Sequence, residues 1–168
     1  MSIIINTERL ILKKIEHKDI NQLIKNLNNW NIVKWLINVP YPYTINDANN
    51  WVKKSLKDEL CLNIYFKNTL IGGITIDENK KKNKHILGYW IEQNHWGKGY
   101  ATEACTSLIS YFFLNSSAEK IYASHMVHND NSKKILLKLG FNEIGKGKVF
   151  SLSLQTEIED INYHLLKS

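Results

Sequence analysis

Three apolar-rich runs in the middle of the chain, LCLNIYFK (60–67), LIGGITIDE (70–78) and HILGYWI (85–91), are separated by only two and six residues. Each is short and rich in β-branched and aromatic residues, so each reads as a strand. Connections this short cannot carry a strand across to a parallel neighbour. The chain is therefore committed to an antiparallel meander. NT forms its first turn, and the lysine-rich NKKKNK (79–84) forms a solvated second one. Gly72 and Gly73 inside the middle run predict a bulge or a close backbone approach.

The remaining elements are placed around this meander. RLILKKI (9–15) alternates apolar and polar residues and reads as a first strand. Ile20, Leu23, Ile24 and Leu27 have helical spacing, and NIVKWL (31–36) reads as a short second helical piece before Pro40 and Pro42 break the chain. Thr44 with Asp47 predicts a capping box at the start of a helix through DANNWVKKSLKD. Ala101, Ala104, Cys105, Leu108, Tyr111 and Phe112 form one face of a helix between Lys98 and Leu114. KIYASHMV (120–127) is a strand, and SKKILLKL (132–139) is a helix ended by Gly140. KVFSLSL (148–154) and IEDINYHLL (158–166) are the last strands, with the GKG of 145–147 as a turn. The expected fold is α/β (α+β), a mixed, mostly antiparallel central sheet of about 6–7 strands flanked by helices. One domain is expected over residues 1–168.

Composition narrows the function. No apolar run approaches the ~20 residues of a membrane span. The opening MSIIINTERLIL has no basic region or long apolar stretch, so no signal peptide is read and a cytoplasmic location is expected. Cys61 and Cys105 read as small buried hydrophobes. The net charge is +6, yet the cationic side chains are 21 lysines and a single arginine, Arg9. Nucleic-acid readers rely on arginine forks, so no nucleic-acid partner is expected. A mildly positive field would still attract an anionic small molecule. No metal site is expected.

The stretch NHWGKGYATEA (94–104) joins the third meander strand to a helix. The first N–H groups of a helix lack intrahelical acceptors and its dipole favours an anion there. Gly97 and Gly99 permit close approach, Lys98 adds charge, and Thr102 offers a hydroxyl in the first turn. A Walker A loop needs GxxxxGK[ST], which is missing, and a Rossmann fingerprint needs a third glycine where Thr102 stands.

The string LGYWIEQNHWGKGYATEA resembles the coenzyme A loop of the GNAT acetyltransferase superfamily, in the branch of the RimJ/RimL ribosomal-protein N-terminal acetyltransferases. TERLILKKI, VPYPYTINDANNWV and NDNSKKILLKLGF (129–141) are similar to further segments of that branch, in the same order over about residues 7–166. The chain departs from the family at three points. Asn94 stands where the loop usually has Gln or Arg, and Leu136 where many members carry a tyrosine acid. Ser151 falls where relatives have an acidic residue.

The resemblance implies an acetyl-CoA-dependent N-acetyltransferase that moves acetyl to a primary amine by direct attack in a ternary complex. It implies a cofactor site of Trp90, Ile91, Asn94, His95, Trp96, Gly97, Lys98, Gly99, Tyr100, Ala101, Thr102, Asn129 and Ser132. A backbone N–H around Trp90 and Ile91 would meet the oxyanion. Ser132 is the candidate donor to the leaving thiolate, or else an ordinary helix N-terminal hydroxyl. Glu92 is the candidate base, or a solvated strand-end carboxylate. Trp30, Trp35, Tyr41 and Tyr89 are candidate walls of the acceptor site, or core aromatics. The expected acceptor is a protein or peptide N-terminal α-amine. A polyamine or aminoglycoside acceptor, and a non-catalytic acyl-CoA sensor, remain open alternatives, and so do monomer and homodimer.

Overall fold

The computed structural model describes residues 3–167. In chain order the elements are strands β1 (Ile4–Asn6) and β2 (Ile11–Lys13), helices α1 (Ile20–Leu27), α2 (Trp30–Val33) and α3 (Ile45–Lys57), strands β3 (Cys61–Phe66), β4 (Thr69–Asn79) and β5 (Lys84–Ile91), helix α4 (Tyr100–Asn115), β6 (Lys120–Met126), α5 (Asp130–Lys138), β7 (Asn142–Ser151) and β8 (Thr156–Leu166). The strands form one sheet in the order β1-β2-β3-β4-β5-β6-β8-β7. The predicted meander is β3-β4-β5, antiparallel throughout.

One pair is parallel, β5 with β6, and among the described residues it registers only at Ile86↔Tyr122. Beyond that point each strand follows its antiparallel partner. β5 pairs with β4 from Asn79↔Lys84 to Gly72↔Ile91, and β6 pairs with β8 from Lys120↔Leu166 to Met126↔Asp160. The sheet therefore opens between the C-terminal ends of β5 and β6.

Both faces of the sheet are covered. Leu62, Ile64, Leu87, Ile91, Ile121 and Tyr163 pack against α4 and α5 through Ala104, Cys105, Leu108, Phe112 and Leu136. On the other face Tyr65, Leu70 and Trp90 pack against Leu23, Leu27, Ile32, Ala48 and Val52 of α1–α3. Fully burying one such side chain contributes about 1.5–3 kcal/mol. Cys61 and Cys105 are buried thiols, and burial pushes Cys61 up to about 11, far from a reactive thiolate. Among the described residues no helix is long and apolar enough to cross a membrane.

Local signals explain the helix boundaries. Asp47 N–H donates to Thr44 Oγ1 (3.3 Å) and Thr44 N–H to Asp47 Oδ2 (2.7 Å), which is the expected capping box of α3. Gly140 follows α5 at φ 88°, where its missing Cβ removes the penalty of the left-handed region.

The sheet differs from the expectation in three places. Among the described residues it has eight strands, one more than expected, because β1 is too short at three residues to give a periodic signal. The second helical piece ends at Val33, short of Leu36. The GKG of 145–147 is not a turn: it lies inside β7, with Gly145↔Asn162 and Gly147↔Asp160 in register, and the turn falls between Ser151 and Thr156. Gly145, at φ 139°, absorbs the irregularity after Glu143. A Cβ on Gly147 would stand 2.7 Å from Asp160 Oδ1. Both glycines serve a strand, so reading them as punctuation fails.

Gly72 and Gly73 make the close approach. A Cβ on Gly72 would lie 2.4 Å from Trp90 O, and one on Gly73 would lie 2.5 Å from Trp90 Nε1. The pair thus seats Trp90 beside the opening in the sheet. Gly72→Ala should force β4 away from β5 and cost about 1–3 kcal/mol, read as a lower urea midpoint. An unchanged midpoint would show that the strands yield freely.

Candidate active site

The loop after β5 delivers a helix N-terminus that no side chain caps among the described residues. Gly97 and Gly99 take φ 72° and 81°, and a Cβ built on Gly97 meets nothing within 4 Å. Gly99 is the N-cap of α4 and has no side chain to cap with, whereas α2, α3 and α5 are capped by Asn29, Thr44 and Asn129. The first helical bond is Glu103 N–H to Gly99 O (3.0 Å). The N–H groups of Tyr100, Ala101 and Thr102 therefore have no intrahelical acceptor, and the helix presents an open anion site.

Side chains around the loop fix its shape. Glu92 Oε2 accepts from Asn94 N–H (3.1 Å) and from His95 Nδ1 (2.7 Å), and Oε1 accepts from Asn94 Nδ2 (3.0 Å). Asn94 is thus tied to Glu92, and His95 lies near the rings of Phe66 and Tyr100. Trp96 Nε1 donates to Ile91 O (2.7 Å), and Lys98 Nζ to Asn94 O (2.9 Å). Gln93 Oε1 accepts from Asn29 Nδ2 (2.7 Å) and Asn31 Nδ2 (3.3 Å), joining the loop to α2.

Arg9, just before β2, reaches the far side of the same loop. Its Nη1 donates to Lys98 O (3.0 Å), its Nε and Nη2 reach Glu103 Oε2 (2.7 Å each), and its guanidinium lies 4.6 Å from the Tyr100 ring centre. Glu103 Oε1 also accepts from Arg9 N–H (2.7 Å) and Thr7 Oγ1 (2.6 Å). Burial alone would raise the Glu103 carboxyl, but the hydrogen bonds from Thr7 and Arg9 outweigh it and hold it below its ordinary range.

The opening between β5 and β6 lies beside this loop. Glu92 N–H donates to Ile71 O (2.7 Å), so the antiparallel alternation turns the Trp90 N–H toward β4 and the Ile91 N–H toward the gap. Trp90's side chain is nearly buried and packs in the core on the α1–α3 face. Across the gap, Ser132 occupies the first turn of α5, whose cap is Asn129 Oδ1 accepting from Ser132 N–H (3.2 Å). Ser132 Oγ is 2.9 Å from Tyr89 Oη. Burial, with Cys105 nearby, pushes the Tyr89 phenol well above its ordinary range, only partly offset by the Ser132 hydrogen bond. Leu136 is fully buried in the core. The phenol next to Ser132 is thus supplied from β5 and not from α5.

On the α2 side a cleft of about 520 Å3 is lined by Trp30, Trp35, Lys34, His128, Ile158 and Glu159, among others. Tyr41 packs against Trp30 with its ring tilted 60° (5.1 Å between ring centres) outside this lining. Ser151 is a buried hydroxyl 3.2 Å from Ser153 Oγ and offers no carboxylate.

Of the residues singled out from sequence, the structure gathers those of 89–102 with Asn129 and Ser132 around one opening, and Trp30 and Trp35 along one cleft. Arg9 and Gln93 were not among them. The signal for Arg9 was its being the only arginine in a lysine-rich chain.

An open anion site, an inward N–H, a hydroxyl pair and an aromatic cleft together suit transfer from a phosphorylated carrier to an amine. The comparisons agree with this chemistry. Residues 9–142 match the model of the acetyltransferase (GNAT) domain. The uncharacterized N-acetyltransferase p20 of Bacillus licheniformis is 28% identical over 171 residues, covering 96% of this chain and 94% of its own. The ribosomal protein uS5-alanine N-acetyltransferase of Escherichia coli is 39% identical over 66 residues, 39% of this chain and 34% of its own. The microcin C7 self-immunity acetyltransferase MccE, solved with acetyl-CoA and AMP, shares the fold with a TM-score of 0.79 at 22% identity, covering 95% of this chain and 93% of its own.

The Glu103 linkage has a defined sign. Its folded pKa lies below the ordinary 4.5, so its stabilisation is complete above that value and is lost as pH falls through the folded pKa. Glu103→Gln should lower stability at pH 7 and flatten the acid limb of a urea-midpoint-versus-pH curve. A wild-type acid limb in the variant would exclude this linkage.

Proposed function

The chain belongs to the GNAT acetyltransferase family, and we propose that it uses acetyl-CoA and that its acceptor is the α-amine of a protein or peptide N-terminus, attacking directly in a ternary complex. The observation that carries this reading is the opening between β5 and β6, with the uncapped α4 and the Tyr89–Ser132 pair beside it. Acetyl-CoA, when bound, supplies the acetyl thioester and a pyrophosphate.

In this reading the N–H groups from Gly97 to Thr102 hold the pyrophosphate, with Lys98 at the rim and Asn94, His95 and Trp96 shaping the loop. Their fit rests on the four N–H groups at and after Gly99 that await an acceptor and on the empty space above Gly97. The Ile91 N–H stabilises charge developing on the acyl oxygen. Asn129 keeps α5 capped and Ser132 oriented. Ser132 and Tyr89 hydrogen-bond the departing sulfur. The Tyr89 phenol is held above its ordinary pKa of 10.0, while a thiol ionises at about 8.5, so the pair stabilises the thiolate and does not fully protonate it.

The acceptor class follows from proton availability and charge. An α-amine has a pKa of about 8 and a lysine about 10.4, so at neutral pH the α-amine offers roughly 250-fold more of its reactive form. Both Glu92 oxygens already accept hydrogen bonds from Asn94 or His95, so Glu92 serves the site by positioning the loop, and the amine loses its proton to water in the open cleft. Of the three carboxylates in QTEIED, Glu159 alone lines the cleft, opposite Lys34; Glu157 faces Lys148 (3.7 Å) and Asp160 is buried. A polyamine or aminoglycoside would need more negative charge than this. Trp30 and Trp35 provide walls for the first residues of a peptide. The Escherichia coli relative that acts on an alanine of uS5 points to the same acceptor class.

The test is a panel with acetyl-CoA: free peptides, the same peptides blocked at the N-terminus but carrying lysine, spermidine and an aminoglycoside. Thiol release should require a free α-amine. Faster turnover of spermidine or the aminoglycoside would overturn the acceptor, and heat protection by acetyl-CoA without turnover of any amine would indicate a sensor. Tyr89→Phe and Ser132→Ala should each lower kcat about 10²-fold with little change in the KM for acetyl-CoA. Unchanged kcat in both would reduce the pair to a structural contact. Glu92→Gln should leave the shape of the pH–rate profile unchanged, and loss of its acidic limb would make Glu92 the base.

A further inference from the structure

We propose that Arg9 is a positioning residue for the cofactor loop: it turns the Lys98–Gly99 peptide and neutralises Glu103, so that the first turn of α4 can accept the pyrophosphate. The proposal rests on the acetyl-CoA reading above and goes beyond it, because Arg9 acts from outside the loop.

The geometry gives two consequences. Nη1 holds the Lys98 carbonyl at 3.0 Å. In a trans peptide the C=O and the following N–H point in opposite directions. The Gly99 N–H is therefore directed away from the Arg9 guanidinium that holds the Lys98 carbonyl. Gly99 is the residue with φ 81° that opens α4, so this one peptide sets where the donor row begins.

The second consequence is electrostatic. Glu103 lies in the first turn of the helix that would face the pyrophosphate, with 14% of its side chain exposed. A carboxylate there suits the helix dipole but repels an incoming anion. Arg9 and Thr7 occupy both its oxygens. The carboxylate charge is thereby neutralised within the first turn of α4 by Arg9, whose Nη2 would lie 3.4 Å from a Cβ on Gly99.

The residue type matters. One side chain must bond a carbonyl and a carboxylate in different directions while lying over the Tyr100 ring, and a planar fork does this where an ammonium does not. In a chain whose other 21 cationic side chains are lysine, the single arginine stands where that fork is used.

The alternative is a staple that merely fastens β2 to α4. The two separate by donor. S-Acetylpantetheine retains the thioester and lacks the pyrophosphate. Kinetics with it and with acetyl-CoA should be compared in wild type, Arg9→Lys and Arg9→Met. Arg9→Lys should raise the KM for acetyl-CoA about tenfold or more, as loss of a charged hydrogen bond does, and shift kcat/KM for S-acetylpantetheine by less than about twofold. Arg9→Met should show the same split more strongly; if it does not fold, Arg9→Lys carries the test. Equal losses with both donors would make Arg9 a staple only, and an unchanged KM for acetyl-CoA would remove the role. Wild-type protein that acetyl-CoA fails to protect from heat unfolding would instead overturn the cofactor reading on which the proposal stands.

Discussion

The site depends on a ladder that stops. β5 and β6 meet at Ile86↔Tyr122 and then part, because each is held more extensively by an antiparallel partner on its other side. Leaving strand N–H groups unpaired inside a protein costs about 1–3 kcal/mol apiece if nothing else satisfies them. Here the cost is retained at one place, where the strands part. The inward N–H of Ile91, the phenol of Tyr89 and the hydroxyl of Ser132 all border the gap. Gly72 and Gly73 let Trp90 fill the α1–α3 face beside it, so the opening does not run through the core.

The helix that follows shows the same economy. Three other helices gain a side-chain cap, an interaction worth about 0.5–2 kcal/mol. α4 goes without one, and its first turn is secured from the flank by Glu103, Arg9 and Thr7. Support from the flank leaves the axial end free. Stability and ligand access are thus drawn from different faces of one turn.

Much of this was legible in the sequence, for reasons that differ by element. The meander could be read because its connections are too short for any other topology. The capping box of Thr44 and Asp47 and the stop at Gly140 are local chemistry, and both are present. The glycine turn into an uncapped helix could be read because glycine, lysine and a helix start are contiguous. What failed were features fixed by partners distant in sequence. Gly145 and Gly147 look like a turn until Asp160 and Asn162 lie across from them. The contact of Tyr89 with Ser132, 43 residues on and 2.9 Å away, has no local signature. Arg9 meets Glu103 across 94 residues, and neither spacing nor periodicity encodes that contact.

The open sheet has two ends, and both discourage strand-to-strand association. β1 is three residues long and gives a neighbour little ladder to extend. β7 is longer, but its pairing with β8 is irregular after Glu143, and it carries Lys146 and Lys148 along its length. A bent, cationic edge is a poor template for a further strand. The second GKG, which lies within a strand and opens no helix, therefore places a kink and two lysines on an edge of the sheet.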